Sequence, residues 1–86
     1  MKYCLIAFES THAAITTEKH LKKLTKISIM PTLREISSGC GISIKFSYED
    51  LEIVLKAMND FHINKDLYKI YEISTEYNKI RVTFLY

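Results

Sequence analysis

Glycine and proline are scarce in this chain, whose 86 residues include two glycines and one proline. Both glycines flank one cysteine, in the run Ser37-Ser38-Gly39-Cys40-Gly41. Glycine leaves a neighbouring thiol uncrowded, and it lets the backbone take angles that other residues avoid. Backbone amides and a nearby cation stabilise the thiolate, which is the reactive form of cysteine. The pattern therefore predicts a small domain that presents Cys40 as a reactive thiol.

Several other features are missing, and each absence narrows the function. Two cysteines cannot make a disulfide framework, and there is no Cys-x-x-Cys motif or close histidine pair to hold a metal. No apolar run is long enough to span a membrane, and no secretory leader precedes the first strand. The net charge of +2 argues against a dedicated nucleic-acid binder, which normally carries a concentrated basic face. We therefore expect a cytoplasmic protein with reduced thiols, no metal or cofactor, and neither nucleic acid nor membrane as partner.

Hydrophobic periodicity predicts five strands and two helices in a single domain, residues 1–86. The predicted strands cover residues 3–9, 27–30, 42–46, 67–73 and 79–86, and the predicted helices cover residues 12–24 and 51–61. Ser10 or Thr11 is expected to cap the first helix, and Ser47-Tyr48-Glu49-Asp50 resembles a capping box for the second. Pro31 lacks an N–H group, so the second strand must lie at an edge or end there.

This order of elements predicts an α+β fold, a ferredoxin-like βαββαβ sandwich with an additional C-terminal strand in residues 74–86. Right-handed crossovers give the sheet order 4-1-3-2. The fifth strand is expected to form a hairpin with the fourth, or to pair with another subunit. The second possibility would make a homodimer through an edge strand.

The predicted topology brings three loops to one end of the sheet. These are Ser10-Thr11-His12, the loop from Arg34 to Gly41, and His62-Ile63-Asn64. A cysteine, an arginine and two histidines should therefore meet at one surface, where loops on a rigid scaffold often carry function.

Each candidate site residue also has a purely structural explanation. Cys40 could be a compact turn residue, and His12 a solvent-exposed helix start rather than a group that transfers a proton beside the thiolate. Arg34 could lower the Cys40 pKa or hold an anionic substrate, or it could pair with Glu35. His20 is expected to be exposed.

Cys4 differs from Cys40 because it lies inside the apolar run 3–8, so we expect it in the core. A disulfide with Cys40 is not expected, since the first strand separates the two residues by too much. A metal site made of Cys40, His12 and His62 is conceivable from topology alone. The lysines at positions 19, 22, 23 and 26 are expected to form a solvated helix face.

Two segments resemble a family of short bacterial proteins described as selenium/sulfur carrier-like. They are Pro31-Thr32-Leu33-Arg34-Glu35-Ile36-Ser37-Ser38-Gly39-Cys40-Gly41 and Phe8-Glu9-Ser10-Thr11-His12-Ala13. The resemblance covers residues 3–73, and its most specific part is the stretch from Arg34 to Gly41. Leu33 stands where the family usually has a second proline, and Thr25-Lys26 lacks the usual glycine.

The resemblance implies that Cys40 carries sulfur or selenium as a persulfide or selenopersulfide. Arg34 would then stabilise the anion and His12 would help with the proton, while Ser37, Ser38, Gly39 and Gly41 would form the binding loop. The implied partners are sulfur- or selenium-donor and acceptor proteins, and carriage of this kind is stoichiometric rather than enzymatic. Two alternatives are an interaction or small-ligand-binding module, and a thiol redox sensor that forms an intermolecular disulfide.

Overall fold

The computed structural model describes all 86 residues as one α+β unit with two helices and a five-stranded antiparallel sheet. The strands are β1 (Lys2–Phe8), β2 (Ile27–Pro31), β3 (Ile42–Phe46), β4 (Tyr68–Glu76) and β5 (Lys79–Phe84), and the helices are α1 (Thr11–Leu21) and α2 (Leu51–Asp60). The sheet order β2-β3-β1-β4-β5 is compatible with a ferredoxin-like arrangement. Neither helix is long and apolar enough to cross a membrane.

Strand β1 lies in the middle of the sheet and explains why the fold has a core on both faces. Its residues alternate between the faces, as the side chains of a strand must. Cys4, Ile6 and Phe8 pack under the two helices in a cluster of 14 buried residues. Leu5 and Ala7 point to the other face, where a smaller cluster of four buried residues forms without a helix.

Helix α1 starts where the sequence predicts and ends earlier. Ser10 is the N-cap, and its hydroxyl oxygen accepts a hydrogen bond from the Ala13 N–H. The helix ends at Leu21, and in the turn that follows the Leu21 carbonyl accepts hydrogen bonds from the N–H groups of Leu24 and Thr25. The prediction that the helix continues to Leu24 was wrong, and the Leu24 side chain is 52% exposed.

The second helix begins at Leu51 as predicted, but Ser47 does not cap it. Ser47 accepts a hydrogen bond from the Glu49 N–H, but this bond caps a short 3-10 helix at Tyr48–Asp50. Helix α2 follows directly, and Asp50 makes no side-chain cap. The Asp50 carboxylate instead accepts from the Thr25 hydroxyl at 2.6 Å, which ties the start of α2 to the segment after α1.

The C-terminal hairpin is longer and tighter than predicted. Strand β4 continues to Glu76 and pairs there with Lys79, so that the turn is reduced to Tyr77 and Asn78. Both turn residues have left-handed φ angles, 53° and 63°. A two-residue turn with two positive φ angles matches the twist of an antiparallel hairpin. The fifth strand thus pairs with the fourth, as one of the two sequence alternatives proposed.

Candidate functional site

Cys40 lies in the β2–β3 loop, residues 32–41, where this loop crosses the end of β1. The Cys40 N–H donates a hydrogen bond to the Phe8 carbonyl at 3.1 Å. One residue earlier, the Gly39 N–H donates to a Glu9 carboxylate oxygen at 3.1 Å. These two bonds attach the cysteine backbone to the last residue of β1 and to the residue after it.

The two glycines provide room rather than unusual backbone angles. Neither has a positive φ, so the prediction that they take angles other residues avoid was wrong. Gly39 is confined by packing, because a Cβ atom there would overlap the Glu9 carbonyl oxygen. Gly41 has no atom within 4 Å of the position a Cβ would occupy. Only Gly39 is therefore required by close approach of the chain.

Two hydrogen-bonding groups contact the Cys40 sulfur. The Ile42 N–H donates to Sγ at 3.4 Å, and the Thr11 hydroxyl lies 3.4 Å from Sγ. Either Thr11 Oγ1 or Sγ can donate while the thiol is protonated, but a thiolate only accepts, so the hydroxyl would then donate. Thr11 is also the first residue of α1, where the helix dipole favours negative charge. The donors are thus Thr11 and Ile42, not the glycine amides that the sequence suggested.

Hydroxyl groups hold the Cys40 carbonyl from the other side. Ser38 Oγ donates to this oxygen at 2.7 Å, and Thr32 Oγ1 donates to it at 3.1 Å. Thr32 Oγ1 also lies 2.7 Å from Ser43 Oγ, and Ser43 is fully buried although its strand pattern predicts an exposed position. Ser38 therefore orders the loop backbone, while Ser37 is exposed and makes no hydrogen bond.

Cys40 is buried, which contradicts the prediction of an uncrowded thiol. Its exposed fraction is 4%, and its side chain belongs to the larger core under the helices. Four residues earlier in the same loop, Ile36 is buried in the smaller core on the opposite face of the sheet. The loop thus straddles the end of the sheet, with Cys40 in the larger core and Ile36 in the smaller core, against which Leu33 also packs.

Arg34 is exposed and forms neither an ion pair nor a hydrogen bond. The alternative pairing of Arg34 with Glu35 is therefore not formed. The Glu35 carboxylate lies near Tyr3 instead. The pKa of Tyr3 is raised mainly by burial and, to a smaller extent, by this carboxylate. The loop therefore displays a free guanidinium six residues before Cys40, without contact to the sulfur.

His12 and His62 line a recess of about 360 Å³ between α1 and the α2–β4 connection, together with Ser10 and Asn64. Cys40 does not line this recess. His62 has φ 54° because it follows the C-cap of α2, where its N–H donates to the Asn59 carbonyl. The three loops therefore converge only in part, with Thr11 beside Cys40 and His12 beside His62.

Two further residues of the sequence analysis have clear positions. Cys4 is fully buried in the larger core, as predicted, and both cysteines are free. Burial, with a smaller contribution from the Glu72 carboxylate, raises the pKa of the Cys4 thiol to about 11. His20 was expected to be exposed, but its ring stacks on Phe61 with the centroids 4.2 Å apart. No group of three or more His, Cys, Asp or Glu side chains is placed to hold a metal ion.

The sequence of this chain matches a known protein family. The family described as "Putative Se/S carrier protein-like" matches residues 3–72. This range includes Cys40 and the two residues that contact its sulfur, Thr11 and Ile42. The chain belongs to this Se/S carrier-like family. No curated protein and no solved structure shows significant similarity to it. Strand β5 lies outside the matched residues.

The contacts to sulfur in this Se/S carrier-like chain were the part of the site that sequence reasoning missed. Thr11 was predicted as a helix cap and as part of a loop near Cys40 but not as a donor to the sulfur, and Ile42 was predicted only as a strand residue. A usable signal existed for Thr11, because the topology brings the start of α1 to the loop that contains Cys40. The Ile42 N–H depends on the local turn at Gly41, which neither periodicity nor composition reveals.

Proposed function

We propose that this protein carries sulfur or selenium on Cys40 as a persulfide or selenopersulfide. The observation that supports this most directly is the pair of donors, Thr11 Oγ1 and the Ile42 N–H, each 3.4 Å from Sγ. Both groups lie where they can donate hydrogen bonds to an attacking sulfur anion. A thiolate, rather than a thiol, is the nucleophile in exchange at sulfur. The match to the Se/S carrier-like family supports sulfur or selenium as the transferred atom.

The loading step is an exchange with no net oxidation. The Cys40 thiolate attacks the outer sulfur of a donor persulfide, R–S–SH. A new S–S bond forms to Cys40, the donor S–S bond breaks, and the donor leaves as the thiolate R–S⁻. The proton stays on the transferred sulfur. Selenium transfers in the same way from a donor that carries an outer selenium atom.

The remaining site residues have proposed roles in this exchange. Arg34 is free of protein partners, so its guanidinium is available to the donor or to the anionic product. His12 is exposed at the start of α1 and is proposed to protonate the donor thiolate R–S⁻ after it leaves. Ser38 and Gly39 order the loop through their hydrogen bonds, while Ser37 and Gly41 form its exposed surface.

The 4% exposure of Cys40 sets a condition on the mechanism. A donor protein cannot bring its own sulfur to a buried Sγ without displacing part of the surrounding chain. We propose that the loop carrying Ser37 to Gly41 moves away from β1 when the donor docks. Carriage of this kind is stoichiometric and requires a donor and an acceptor protein, which we place in the cytoplasm with reduced thiols.

Transfer can be measured by intact-mass analysis of the reduced protein after incubation with a cysteine desulfurase and cysteine. We expect a gain equal to one or more sulfur atoms, and peptide mapping should place it on Cys40. The matched variants are Cys40→Ser and Cys4→Ser, which remove one thiol each by the same small change. The adduct should be absent from Cys40→Ser and retained by Cys4→Ser.

An adduct of equal size on both variants, or none on the wild-type protein, would contradict the carrier proposal with this donor. A thiol redox sensor would behave differently, because mild oxidant would convert the protein into a covalent dimer through Cys40. That dimer would be visible on a non-reducing gel.

Exposed apolar residues on and just after β5 support a second proposal, in which this edge of the sheet binds another chain. Phe84 is 61% exposed, and Ile80 and Tyr86 are also large exposed apolar residues. Exposed apolar surface on an edge strand is a frequent site of pairing with another chain. We propose a homodimer through this edge. Light scattering should report a dimer that becomes a monomer in Phe84→Lys, while Tyr77→Lys, at the exposed turn, stays dimeric.

A further inference from the structure

A pocket of about 410 Å³ lies at the end of the sheet opposite to Cys40. It forms where β1 and β2 begin and β3 ends. Because β3 is extended, the pocket lies roughly 20 Å from Cys40 at about 3.3 Å per residue. Its volume falls in the range of about 300–1,000 Å³ typical of small-molecule sites. The pocket is therefore separate from the proposed carrier site.

Three lysines line this pocket, namely Lys2, Lys26 and Lys45. Lys26 is exposed and forms no ion pair. Lys45 lies over the Tyr3 ring, with Nζ 4.6 Å from the ring centroid, and also lacks an acidic partner. Contact with an aromatic face restricts a lysine side chain and directs its ammonium group. Two ammonium groups at the pocket are thus left without a counter-charge.

The other charged groups do not cancel this excess. Lys2 lies 3.8 Å from a Glu72 oxygen in the only ion pair of the structure. Asp50 is the one acidic residue that lines the pocket, and it already accepts a hydrogen bond from Thr25. The Met1 α-ammonium also lines the pocket, so four cationic groups stand against two carboxylates, Asp50 in the lining and Glu72 beside Lys2, which gives a net charge of +2.

Neutral groups add hydrogen bonding and an apolar wall. Ser28 and Ser47 contribute hydroxyls to the lining. Ser47 Oγ accepts from the Glu49 N–H, which leaves its own hydrogen free to donate. The half-buried Tyr3 supplies aromatic surface, whereas Phe46 borders the pocket from the larger core and is only 2% exposed. The pocket therefore combines convergent cationic donors with an aromatic surface.

From this arrangement we propose that the pocket binds a small dianion of the phosphate monoester type. A dianion matches the net charge of +2, and lysine ammonium groups are point-charge donors suited to phosphate. The serine hydroxyls donate to the remaining phosphate oxygens. The aromatic wall contacts the organic group of the ester.

The test is a titration of the full-length protein followed by amide chemical shifts, with phenyl phosphate and inorganic phosphate as separate probes. Sodium chloride keeps the ionic strength constant, since screening alone changes surface electrostatics. We expect saturable shifts centred on Lys26, Ser28, Lys45 and Ser47, with a Kd on the order of 1 mM or tighter. Tighter binding of phenyl phosphate would identify an ester as the ligand, and equal binding would identify the free anion.

A matched pair of double variants separates a specific site from general attraction. Lys26→Gln with Lys45→Gln removes two charges at the pocket, and Lys19→Gln with Lys22→Gln removes two exposed charges on and just after α1. We expect the pocket variant to raise the Kd at least ~10-fold. The helix variant should bind with the wild-type Kd. Equal weakening in both variants, or linear shifts scattered over the surface, would overturn the proposal. Cys40→Ser should not alter this titration, so its result is independent of sulfur carriage.

Discussion

Gly39 and Gly41 flank the same cysteine but differ in how closely the rest of the chain approaches them. A Cβ atom at position 39 would overlap the Glu9 carbonyl oxygen, whereas position 41 faces open space. We expect Gly39→Ala to lower the free energy of unfolding by about 1–3 kcal/mol, the usual cost of overpacking. Gly41→Ala should leave it unchanged or raise it by up to about 1 kcal/mol, because alanine restricts the unfolded chain.

Urea unfolding of the two variants beside the wild type checks this difference. Both substitutions add one methyl group next to Cys40, so a general sensitivity of the loop to added volume would lower both stabilities alike. That outcome would show that the Glu9 backbone can move away from Gly39, and it would remove the structural reason for that glycine.

Cys4 makes stability depend on pH in the alkaline range. Burial raises the pKa of its thiol from 9.0 to about 11, because the charged form is disfavoured in the core. The folded state therefore favours the neutral thiol. This contribution is fully present below pH 9 and is lost as the pH rises through about 11. At ~1.4 kcal/mol per pKa unit it amounts to at most about 3 kcal/mol.

The measurement compares wild type with Cys4→Ala by urea unfolding at several pH values between 9 and 11. The variant should be less stable at the lower pH because of its cavity, but it should lose less stability as the pH rises. Tyrosines whose pKa is also raised, such as Tyr3 and Tyr68, titrate in both proteins and cancel in the comparison. Parallel pH profiles would contradict the assignment to Cys4.

Among the elements, the β4–β5 hairpin contains the clearest conflict between residue type and backbone. Tyr77 adopts φ 53° although its side chain is 90% exposed and gains nothing from packing. Asparagine tolerates this conformation far better than other residues that carry a Cβ. We expect Tyr77→Asn to raise the free energy of unfolding by about 1 kcal/mol, the approximate cost of left-handed backbone in such residues.

Tyr77→Ala is the control for this change in a urea titration. It removes the same exposed ring and keeps a residue that disfavours positive φ, so its stability should stay near that of the wild type. If alanine stabilises the hairpin as much as asparagine does, the gain comes from loss of the ring and not from the backbone.

Element types were predictable because each strand and helix carries its own pattern of apolar residues. Ile44 and Phe46 on β3 and Val54 and Met58 on α2 are buried where their spacing predicts, while Ile42 is half-buried. The predicted boundaries were wrong at the end of α1, after Leu21, and at the turn after Glu76. The apolar pattern marks which residues face the core, but it does not mark the residue at which an element ends.

The candidate site was likewise predictable in part. Topology alone predicted that the loops would meet, and Thr11 does contact Cys40. Burial of Cys40 was not predictable from its flanking glycines, because Cys40 packs in the larger core while Ile36, four residues earlier, packs in the smaller core on the other face of the sheet. That is a property of two separate cores, which the local sequence does not reveal.

At the scale of the whole molecule, the two cores give the loop at residues 32–41 two anchors. Cys40 is held in the larger core and Ile36 in the smaller one. Any opening that exposes Sγ while Ile36 stays in place must bend the loop between them. We therefore expect Ile36→Ala to release the loop and to speed alkylation of Cys40 under native conditions.

Cys4 provides an internal reference for this experiment. It lies on the central strand β1, so we expect reagent to reach it only when the sheet comes apart, and the ratio of Cys40 to Cys4 labelling isolates opening of the loop. Ile73→Ala is the matched control, because it removes the same atoms from the same small core on strand β4. Both variants should be destabilised by about 2–5 kcal/mol.

The two variants should differ in the labelling ratio, which intact-mass analysis can follow over time. Ile36→Ala should raise the ratio at least ~10-fold, equivalent to about 1.4 kcal/mol less opening free energy, while Ile73→Ala should raise both labelling rates together. A ratio that is unchanged in Ile36→Ala would mean that Cys40 is reached only through global unfolding. Donor docking would then have to proceed without the loop movement, and the carrier proposal would lose its route to the sulfur.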